Sequence, residues 1–484
     1  MRLAALAWGA VAALEACGAS NLSQSPGASP GLASAKVSAN PHNALSSLIT
    51  FEVDEGDSAR VVYVGKNEQS DSTPYVLLRP GTDTIATLGL HPGTTYRHVI
   101  QVASAAGVAL SDTLIHTTDQ LPDLLQRISI KTTGTGGPGL TVTSAQVGGS
   151  TVVAFAFDSA GTIRWYREFP GTEPVSGDLK QQPDGNFTLY RGTSFGSQQT
   201  PGEYIEFTPA GDSLRSITVT PPRFLDNHEL LITTGPDGAE RLHFFEYDHR
   251  PVNLGFVGVA AELPVAGHQL VRKRADGTTE FEWNAWEHVD PTEWIEPPPP
   301  DPINPGEPDY DHPNSLGFDR DGNYIVSFRH LGQIMKINAT TGETMWRLGG
   351  TKNDFTFVND PLNGFSAQHS ARIMANGNLL LYDNGTRHNP PESRAVEYAL
   401  DTTARTATLV WQFRHSPIIY TPYVGLVQRL QNGNTHIAYA QSGHVTEVTP
   451  DGTVRWEADV TVDGVPAFCY RLSRIVSLYR YAAP

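Results

Sequence analysis

The sequence predicts an all-β protein whose larger part is a six-bladed β-propeller. The 484-residue chain has 45 glycines and 35 prolines, which suits a chain with many turns, and it contains no long amphipathic helical pattern. From Arg127 onwards, a degenerate pattern of turns and apolar strands repeats along the chain. A four-stranded unit cannot bury both of its faces alone, so we expect the repeated units to close into a ring.

The first residues have the character of an export signal. Leu3–Leu14 is an apolar run too short to span a bilayer, and the next residues resemble a bacterial lipobox with Cys17 as the lipidated residue. We assign 1–17 to this signal segment and expect an exported lipoprotein, periplasmic or on the cell surface, with possible membrane anchoring through Cys17. Residues 18–43 are rich in Ser, Ala, Gly and Pro and are predicted to be a flexible tether.

Residues 44–118 are predicted to form a small β-sandwich. Alternating runs separated by turn residues predict its strands: Leu48–Val53, Ala59–Val64, Thr84–Leu88, His98–Ala103 and Thr113–His116. The stretch Leu90–Tyr96, with Gly107 and the closing Thr117-Thr118, resembles a fibronectin type III module. That resemblance implies a fold and says little about function.

The repeat assigned to 127–484 has two alternating halves. One half is a turn that leads into a strand ending in an aromatic residue, as at Trp165, Trp283, Trp346 and Trp456. The other half is an Asp-Gly or Asn-Gly hairpin turn, in which both residues tolerate positive φ. These turns are Pro183–Asn186, Pro236–Gly238, Arg320–Asn323, Ala375–Asn378 and Gln431–Asn434. About six pairs predict six blades, with a seven-bladed ring as the alternative, and the aromatics are expected to pack between blades.

One acidic insert, 287–311, interrupts this rhythm. It contains eight carboxylates and no Lys or Arg, and it is too long for an ordinary connection between strands. Because it leads directly into His312, we expect it to act as a lid.

Charge and motifs exclude several classes of function. The net charge of −17 argues against a nucleic-acid partner, because phosphate binding needs a basic face. The chain has no phosphate-binding glycine loop and no serine-hydrolase elbow. Of its two cysteines, Cys469 is flanked by bulky apolar residues and is predicted to be a buried, inert thiol.

A hairpin near residue 320 gathers candidate site residues. Leu316–Phe318 and Tyr324–Phe328 are its predicted strands, so His312 and Asn314 should lie near Arg329 and His330. Two imidazoles, an amide and a guanidinium suit an anion.

Two further histidines occupy equivalent places in neighbouring repeats. His228, His312 and His369 each precede the first strand of a hairpin, so they should converge at one mouth of the central channel. Three histidines could also bind zinc, but Arg329 beside them would repel a cation.

Five short pieces in order resemble the bacterial arylsulfotransferase (aryl-sulfate sulfotransferase) family. They are Asp311–Leu316, Ser327–His330, Trp346–Gly350, Phe365–His369 and Tyr382–Gly385. The resemblance implies a six-bladed propeller with an N-terminal β-sandwich. It also implies transfer of a sulfuryl group from a phenolic sulfate ester to a phenol, with no nucleotide sulfate donor, no cofactor and no metal.

The resemblance also implies residue roles. His369 would be the nucleophile that forms a covalent sulfohistidine, and His312 and Arg329 would hold the sulfuryl oxygens. His228 would assist proton transfer at the bridging oxygen. The candidate substrate-binding residues are Asn314, His330, Gln368, Tyr420 and Thr421. Arg329 should lower the pKa of His369 and so keep it neutral.

Two other interpretations remain open from the sequence. The chain could be a non-catalytic propeller that binds a ligand or partner at the same mouth. It could also be a quinone-dependent dehydrogenase, since those propellers repeat Gly and Trp as well. Binding of a sulfate ester without a covalent adduct in the intact mass would favour the non-catalytic propeller. A chromophore bound to the purified protein would favour the dehydrogenase.

Overall fold

The computed structural model describes residues 32–53, 57–66, 69–79, 81–105, 107–171, 175–192, 202–258, 262–295 and 308–479. The chain divides into two compact units between Leu121 and Pro122, and both are built from strands. The predicted signal segment with Cys17, and residues 296–307 of the predicted lid, lie outside the described residues. None of the helices in the described ranges has the length and apolar character needed to span a bilayer.

The first unit consists of two antiparallel sheets around one core. Its strands are β1 Leu32–Ala39, β2 Ser47–Val53, β3 Ser58–Gly65, β4 Asp71–Ser72, β5 Val76–Leu77, β6 Gly81–Thr87, β7 Thr95–Ser104, β8 Gly107–Leu110 and β9 Leu114–Thr117. The sheets are β1-β2-β6 and β4-β3-β7-β8, with β5 on β3 and β9 on β7. Ile49 and Phe51 of one sheet pack with Val61 and Ile100 of the other.

All five strands predicted in this unit are present, but the predicted tether is not entirely loop. Within 18–43, Leu32–Ala39 pairs antiparallel with Ser47–Val53. Ala35 and Val37 pack against the core. A short alternation of apolar and polar residues therefore forms a strand within a stretch whose composition indicated a linker.

The second unit contains the remaining strands. They are β10 Ile128–Gly134, β11 Leu140–Val147, β12 Thr151–Phe157, β13 Ile163–Pro170, β14 Val175–Gln181, β15 Phe187–Gly192, β16 Glu203–Phe207, β17 Ser213–Ile217, β18 Phe224–Thr234, β19 Glu240–Asn253, β20 Glu262–Arg274, β21 Thr279–Asn284, β22 Pro313–Phe318, β23 Tyr324–Phe328, β24 Gln333–Ile337, β25 Thr344–Gly349, β26 Thr356–Val358, β27 His369–Ile373, β28 Leu379–Asp383, β29 Arg394–Asp401, β30 Thr406–Phe413, β31 Leu426–Arg429, β32 Thr435–Tyr439, β33 His444–Val448, β34 Val454–Val462, β35 Val465–Pro466 and β36 Ser473–Ile475. Helices are short: α1 Asp123–Gln126, α2 Ala285–His288, and 3-10 turns at Leu254–Val257, Pro291–Glu293 and Ala440–Ser442.

Within the described ranges, these strands form six sheets. Their orders are β13-β12-β11-β36, β14-β15-β16-β17, β18-β19-β20-β21, β22-β23-β24-β25, β26-β30-β29-β28-β27 and β10-β34-β33-β32-β31, with β35 on β34. The first strands of successive sheets lie side by side in space. The neighbouring pairs are β11 and β14, β14 and β18, β18 and β22, β22 and β27, and β27 and β31. Strand β31 in turn lies by β36, which pairs with β11.

Tryptophans connect three pairs of neighbouring sheets. The indole Nε1 of Trp165 donates to Pro209 O at 2.7 Å, that of Trp411 to Pro450 O at 3.0 Å, and that of Trp456 to Ser159 O at 2.8 Å. Each acceptor lies in the turn between the last two strands of the adjoining sheet. These aromatics therefore pack between sheets, as the repeat indicated.

A buried carboxylate joins the first strands of four sheets. Glu229 of β18 accepts hydrogen bonds from Arg372 of β27 at 2.8 Å and from the Leu316 N–H of β22 at 3.3 Å. It also pairs with Lys180 of β14 and with Arg471, which precedes β36. Burial alone would raise the pKa of Glu229, but the surrounding cations hold it well below its ordinary value. The carboxylate is therefore ionised at neutral pH.

We expect Glu229→Gln to lower the free energy of unfolding by about 3–5 kcal/mol. The substitution leaves Lys180 and Arg471 with only the carboxylate of Asp178, and it removes the carboxylate that pairs with Arg372. Tryptophan fluorescence in a urea titration measures this, since seven of the eight tryptophans lie in the second unit. Glu203→Gln, which breaks a partly exposed pair with Arg191, should cost less than about 1 kcal/mol. Equal losses in the two variants would contradict the role given to Glu229.

Candidate active site

The site is built on the hairpin β22–β23. Its return strand has the predicted bounds, whereas its first strand begins at Pro313 and not at Leu316. The Arg329 N–H donates to His312 O at 3.0 Å, so the residue after β23 lies opposite the residue before β22. His330 follows, and its ring centroid lies 4.4 Å from that of His312. The hairpin thus brings its two polar ends together, as the spacing predicted.

His228 joins this group from the neighbouring sheet. Its ring centroid lies 4.5 Å from that of His312, with the rings nearly perpendicular. His228 does not precede its strand, as the sequence predicted, but lies inside β18, where the pairing with β19 is interrupted between Leu225 and Leu230. This interruption turns the side chain toward His312.

Hydrogen bonds fix the orientation of these rings. His228 Nδ1 lies 2.8 Å from Asp226 Oδ2, and His312 Nδ1 lies 2.6 Å from Asp309 Oδ2. A carboxylate only accepts, so we infer that each Nδ1 carries the hydrogen. In both residues, Nε2 is then the nitrogen that can meet a ligand. The His330 Nδ1 donates to the main-chain oxygen of Asp309 at 2.5 Å.

His369 is the first residue of β27 and has a different kind of partner. Its Nδ1 donates to Asn384 Oδ1 at 2.7 Å. The Asn384 amide nitrogen donates to the main-chain oxygens of Thr421 and Val424, at 2.7 and 2.9 Å, so its oxygen is left to accept. His369 Nε2 therefore carries a lone pair, and it accepts the Val424 N–H at 3.2 Å.

The connection between β30 and β31, residues 414–425, touches both the imidazole and the guanidinium. Besides the Val424 N–H on His369, Pro422 O accepts from Arg329 Nη2 at 3.1 Å. Arg329 is 7 % exposed, and its buried Nε has no hydrogen-bond partner among the residues that the structure describes. A buried donor that lacks an acceptor is suited to an anionic ligand.

The electrostatic environment keeps His369 neutral. Burial lowers the pKa of His369 well below its ordinary value, and the nearby positive charge of Arg329 lowers it further. His312 is affected in the same way: burial, His228 and Arg329 all lower its pKa. The expected effect of Arg329 on His369 is thus present, although burial is the larger cause.

Backbone strain is concentrated at this site. Four non-glycine residues around it have positive φ: His312 at 47°, Ala367 at 51°, Ser370 at 57° and Val424 at 55°. For a β-branched residue such as Val424 this is an unfavourable conformation. Such strain persists where surrounding contacts over-determine the backbone, as at ligand sites.

The sequence did not reveal the residues that orient the histidines. Asp226 and Asp309 lie two and three residues before their histidines, a spacing that could have indicated the pairs. His268 of β20 carried no such signal. Its Nδ1 lies 2.6 Å from Asp311 Oδ1, and its Nε2 lies 3.6 Å from Asp226 Oδ2. Burial alone would lower the pKa of His268, but the carboxylates of Asp311, Asp309 and Asp226 hold it well above its ordinary value.

The candidate substrate-binding residues are differently placed. Asn314 Nδ2 donates to Gln368 O at 2.8 Å, and Gln368 Nε2 donates to Ser327 Oγ at 2.9 Å, so both amides hold the neighbouring strands. The Thr421 hydroxyl lies 2.5 Å from Tyr382 OH and is buried, whereas Tyr420 is 40 % exposed. Their contact with substrate remains a prediction.

Two other features of the sequence can be placed. Cys469 is fully buried, and burial raises the pKa of its thiol to about 11, in keeping with an inert role. Asp309, His312 and His330 lie close enough together to hold a metal ion, but the guanidinium of Arg329 adjoins them and disfavours a cation.

The fold and site define an all-β protein with a buried cluster of histidines and one arginine. The family model described as Arylsulfotransferase (ASST) matches residues 214–461, slightly more than half of the chain. The protein therefore belongs to the arylsulfotransferase family. Membership points to a sulfotransferase enzyme that acts on small aryl substrates.

Comparison with other proteins adds little beyond this. No match was found among curated proteins. A protein of unknown function from Bacteroides caccae is 15 % identical, covering 69 % of this chain and 98 % of its own, with a TM-score of 0.41. A streptogramin B lyase is 12 % identical, covering 69 % and 88 %, with a TM-score of 0.33. A virginiamycin B lyase from Staphylococcus aureus is 10 % identical, covering 68 % and 87 %, also with a TM-score of 0.33. At TM-scores below 0.5, these similarities carry no argument.

We expect Asn384→Ala to lower the free energy of unfolding by about 2–3 kcal/mol, because two buried carbonyls and the His369 Nδ1–H lose their partner. Chemical denaturation followed by tryptophan fluorescence measures the change. Asn376→Ala, in an exposed hairpin turn, should cost less than about 1 kcal/mol. A loss at Asn384 no larger than at Asn376 would show that the amide does not hold the segment.

Proposed function

We propose that the protein is an aryl-sulfate sulfotransferase that moves a sulfuryl group from a phenolic sulfate ester to a phenol through a covalent sulfohistidine. No nucleotide sulfate donor takes part. The observation that carries this proposal is the buried His369, whose Nε2 lone pair is fixed by the Nδ1–H···Asn384 bond. Beside it, Arg329 Nε has no acceptor among the described residues. A neutral imidazole with a defined lone pair is a competent nucleophile.

In the first half-reaction, His369 Nε2 attacks sulfur and the bond between sulfur and the phenolic oxygen breaks. Sulfuryl transfer resembles phosphoryl transfer, in which fixed donors around the equatorial oxygens lower the barrier. Arg329 supplies such donors. Once Nε2 is bonded to sulfur it can no longer accept a hydrogen bond, so the Val424 N–H becomes available to a sulfuryl oxygen.

The leaving phenolate takes a proton from His228. The Nδ1–H of His228 is bound by Asp226, so Nε2 is the atom that gives up and regains the proton. His312 can bind a sulfuryl oxygen through Nε2 only in its protonated form, and the incoming anion offsets the positive charge of Arg329 that disfavours this form. In the second half-reaction, a phenol gives its proton to His228 and attacks the sulfur, which restores neutral His369. This sequence predicts ping-pong kinetics.

The finer features of the architecture belong to the same proposal. The six sheets with adjacent first strands support a six-bladed propeller. The two-sheet unit before it fits a fibronectin type III-like sandwich. We also propose that the protein is exported and anchored through lipidated Cys17, which radiolabelled lipid incorporation in wild type but not in Cys17→Ser would test.

We expect His369→Ala to reduce transfer by at least about a thousandfold, because it removes the nucleophile. The measurement is phenol-dependent release of nitrophenol from 4-nitrophenyl sulfate. Intact mass after donor alone should show one added SO3 group in wild type and none in the variant. The partly exposed Glu203→Gln variant should behave as wild type. Donor binding with neither turnover nor adduct would instead support a non-catalytic binding protein.

We expect transfer by the wild type to persist at about pH 5.5, one unit below the ordinary histidine pKa. The lowered pKa of His369 means that its lone pair is lost only at a pH below that ordinary value. Removing the charge in Arg329→Met should raise the pKa of His369, so activity should fall at a higher pH as the solution is acidified. Arg329→Lys keeps the charge and should keep the wild-type position of this acid limb. Profiles of kcat/KM against pH measure the pH at which activity falls. If activity falls at the same pH in Arg329→Met and Arg329→Lys, the charge of Arg329 does not set the pKa of His369.

A further inference from the structure

A second group of histidines and carboxylates lies outside the site just described. His415 follows β30, His444 is the first residue of β33, and Glu457 lies on β34. The group therefore joins two neighbouring sheets. All three residues are partly buried, with side-chain exposures of 12 %, 13 % and 28 %.

Both imidazoles direct the same nitrogen toward one carboxylate. His415 Nε2 lies 2.8 Å from Glu457 Oε1, and His444 Nε2 lies 3.5 Å from the same oxygen. The rings are nearly perpendicular, with centroids 5.2 Å apart. The Thr446 hydroxyl also lies 3.0 Å from His444 Nε2.

The outer nitrogens of the two rings are already occupied. His415 Nδ1 lies 2.7 Å from Pro417 O, and His444 Nδ1 lies 2.8 Å from Asp459 Oδ1. A carbonyl and a carboxylate only accept, so each Nδ1 carries a hydrogen. In neutral rings, both Nε2 lone pairs then face the Glu457 carboxylate, which also only accepts. A cation between these three atoms removes this repulsion.

We propose that His415, His444 and Glu457 bind a divalent transition-metal ion of the zinc class. Two imidazoles and a carboxylate are a common ligand set for Zn²⁺, and magnesium or calcium would prefer oxygen ligands alone. A tetrahedral ion with bonds of about 2.1 Å keeps its ligand atoms about 3.4 Å apart. The His444–Glu457 distance matches this value, and the His415–Glu457 distance must open by roughly 0.6 Å. Thr446 or water would complete the coordination.

Outer hydrogen bonds support the same assignment. Metal-bound histidines typically donate their other N–H to a carboxylate or a main-chain carbonyl, which fixes the ring and its tautomer. Here, Asp459 accepts from His444 Nδ1 and the main-chain oxygen of Pro417 accepts from His415 Nδ1. Asp459 lies directly opposite His444 in the β33–β34 pairing, so the sheet itself sets this orientation.

The position of the ion would connect it to the segment 414–425. His415 lies at the start of this segment, and Pro422 and Val424 at its far end contact Arg329 and His369. An ion shared with β33 and β34 would fix the start of the segment to the next sheet. The metal site itself does not depend on the proposed sulfuryl transfer.

The test is a Zn²⁺ titration of metal-free, tag-free protein at about pH 7.5 by calorimetry, with Co²⁺ absorption as a second probe. We expect one saturable site in wild type that is lost in His415→Ala and His444→Ala. Asp459→Asn should weaken binding by about tenfold or more, because it removes only the outer partner. Zn²⁺ should also raise the Tm of wild type but not of His444→Ala.

Two controls separate this site from other histidines. His312→Ala should keep the Zn²⁺ site, because it alters only the cluster beside Arg329. His42→Ala should also keep it, because it changes an exposed histidine in the first unit. If His415→Ala fails to fold, as judged by circular dichroism, His415→Gln and Asp459→Asn carry the test. Unchanged binding in all the His415, His444 and Asp459 variants, or no saturable binding in wild type, would overturn the proposal.

Discussion

The ionised carboxylate of Glu229 is the interaction on which the arrangement of the second unit depends. It is fully buried and holds Lys180, Arg372, Arg471 and the Leu316 N–H, which come from different sheets. Its removal would leave Lys180 and Arg471 with only the carboxylate of Asp178 and would take from Arg372 the carboxylate that it pairs with. Its effect is to fix the first strands relative to one another.

The histidines are close to these fixed points along the chain. His228 is adjacent to Glu229, His312 is four residues before Leu316, and His369 is three residues before Arg372. Each of these histidines is therefore close in the chain to a residue that the Glu229 carboxylate holds in place. The precision of the site is a property of the strands, and the connecting segment 414–425 contacts it through Pro422 and Val424.

The partners of the histidines separate their roles. His228 and His312 have carboxylates on Nδ1, whereas His369 has the neutral amide of Asn384. A carboxylate can offset a positive charge that its ring gains during the proposed reaction, whereas a neutral amide has no charge to offset it with. Burial and the nearby charge of Arg329 lower the pKa of both His312 and His369, so the difference between these two rings lies in their Nδ1 partners.

Much of this could be predicted from the sequence. The hairpin that joins His312 to Arg329 follows from local spacing and an Asp-Gly turn, and Gly322 has the expected positive φ of 79°. His268, Asn384 and Val424 could not be assigned roles in this way, because they reach the site from other sheets and connections and no local pattern marks them. The strand Leu32–Ala39 was missed because its composition resembles that of a linker.

The pairing of β11 with β36 has a consequence for the order of assembly. Thr141 faces Arg474 across this ladder, so β11, which pairs with β12 on one side, finds its second neighbour only among the last strands of the unit. Contacts between residues so distant in the chain form slowly, because a long loop must be closed first. The earlier sandwich pairs strands that are closer together in the chain, and it can be complete while β10 and β11 still lack their partners β34 and β36. Misassembly would therefore begin at these open strand edges.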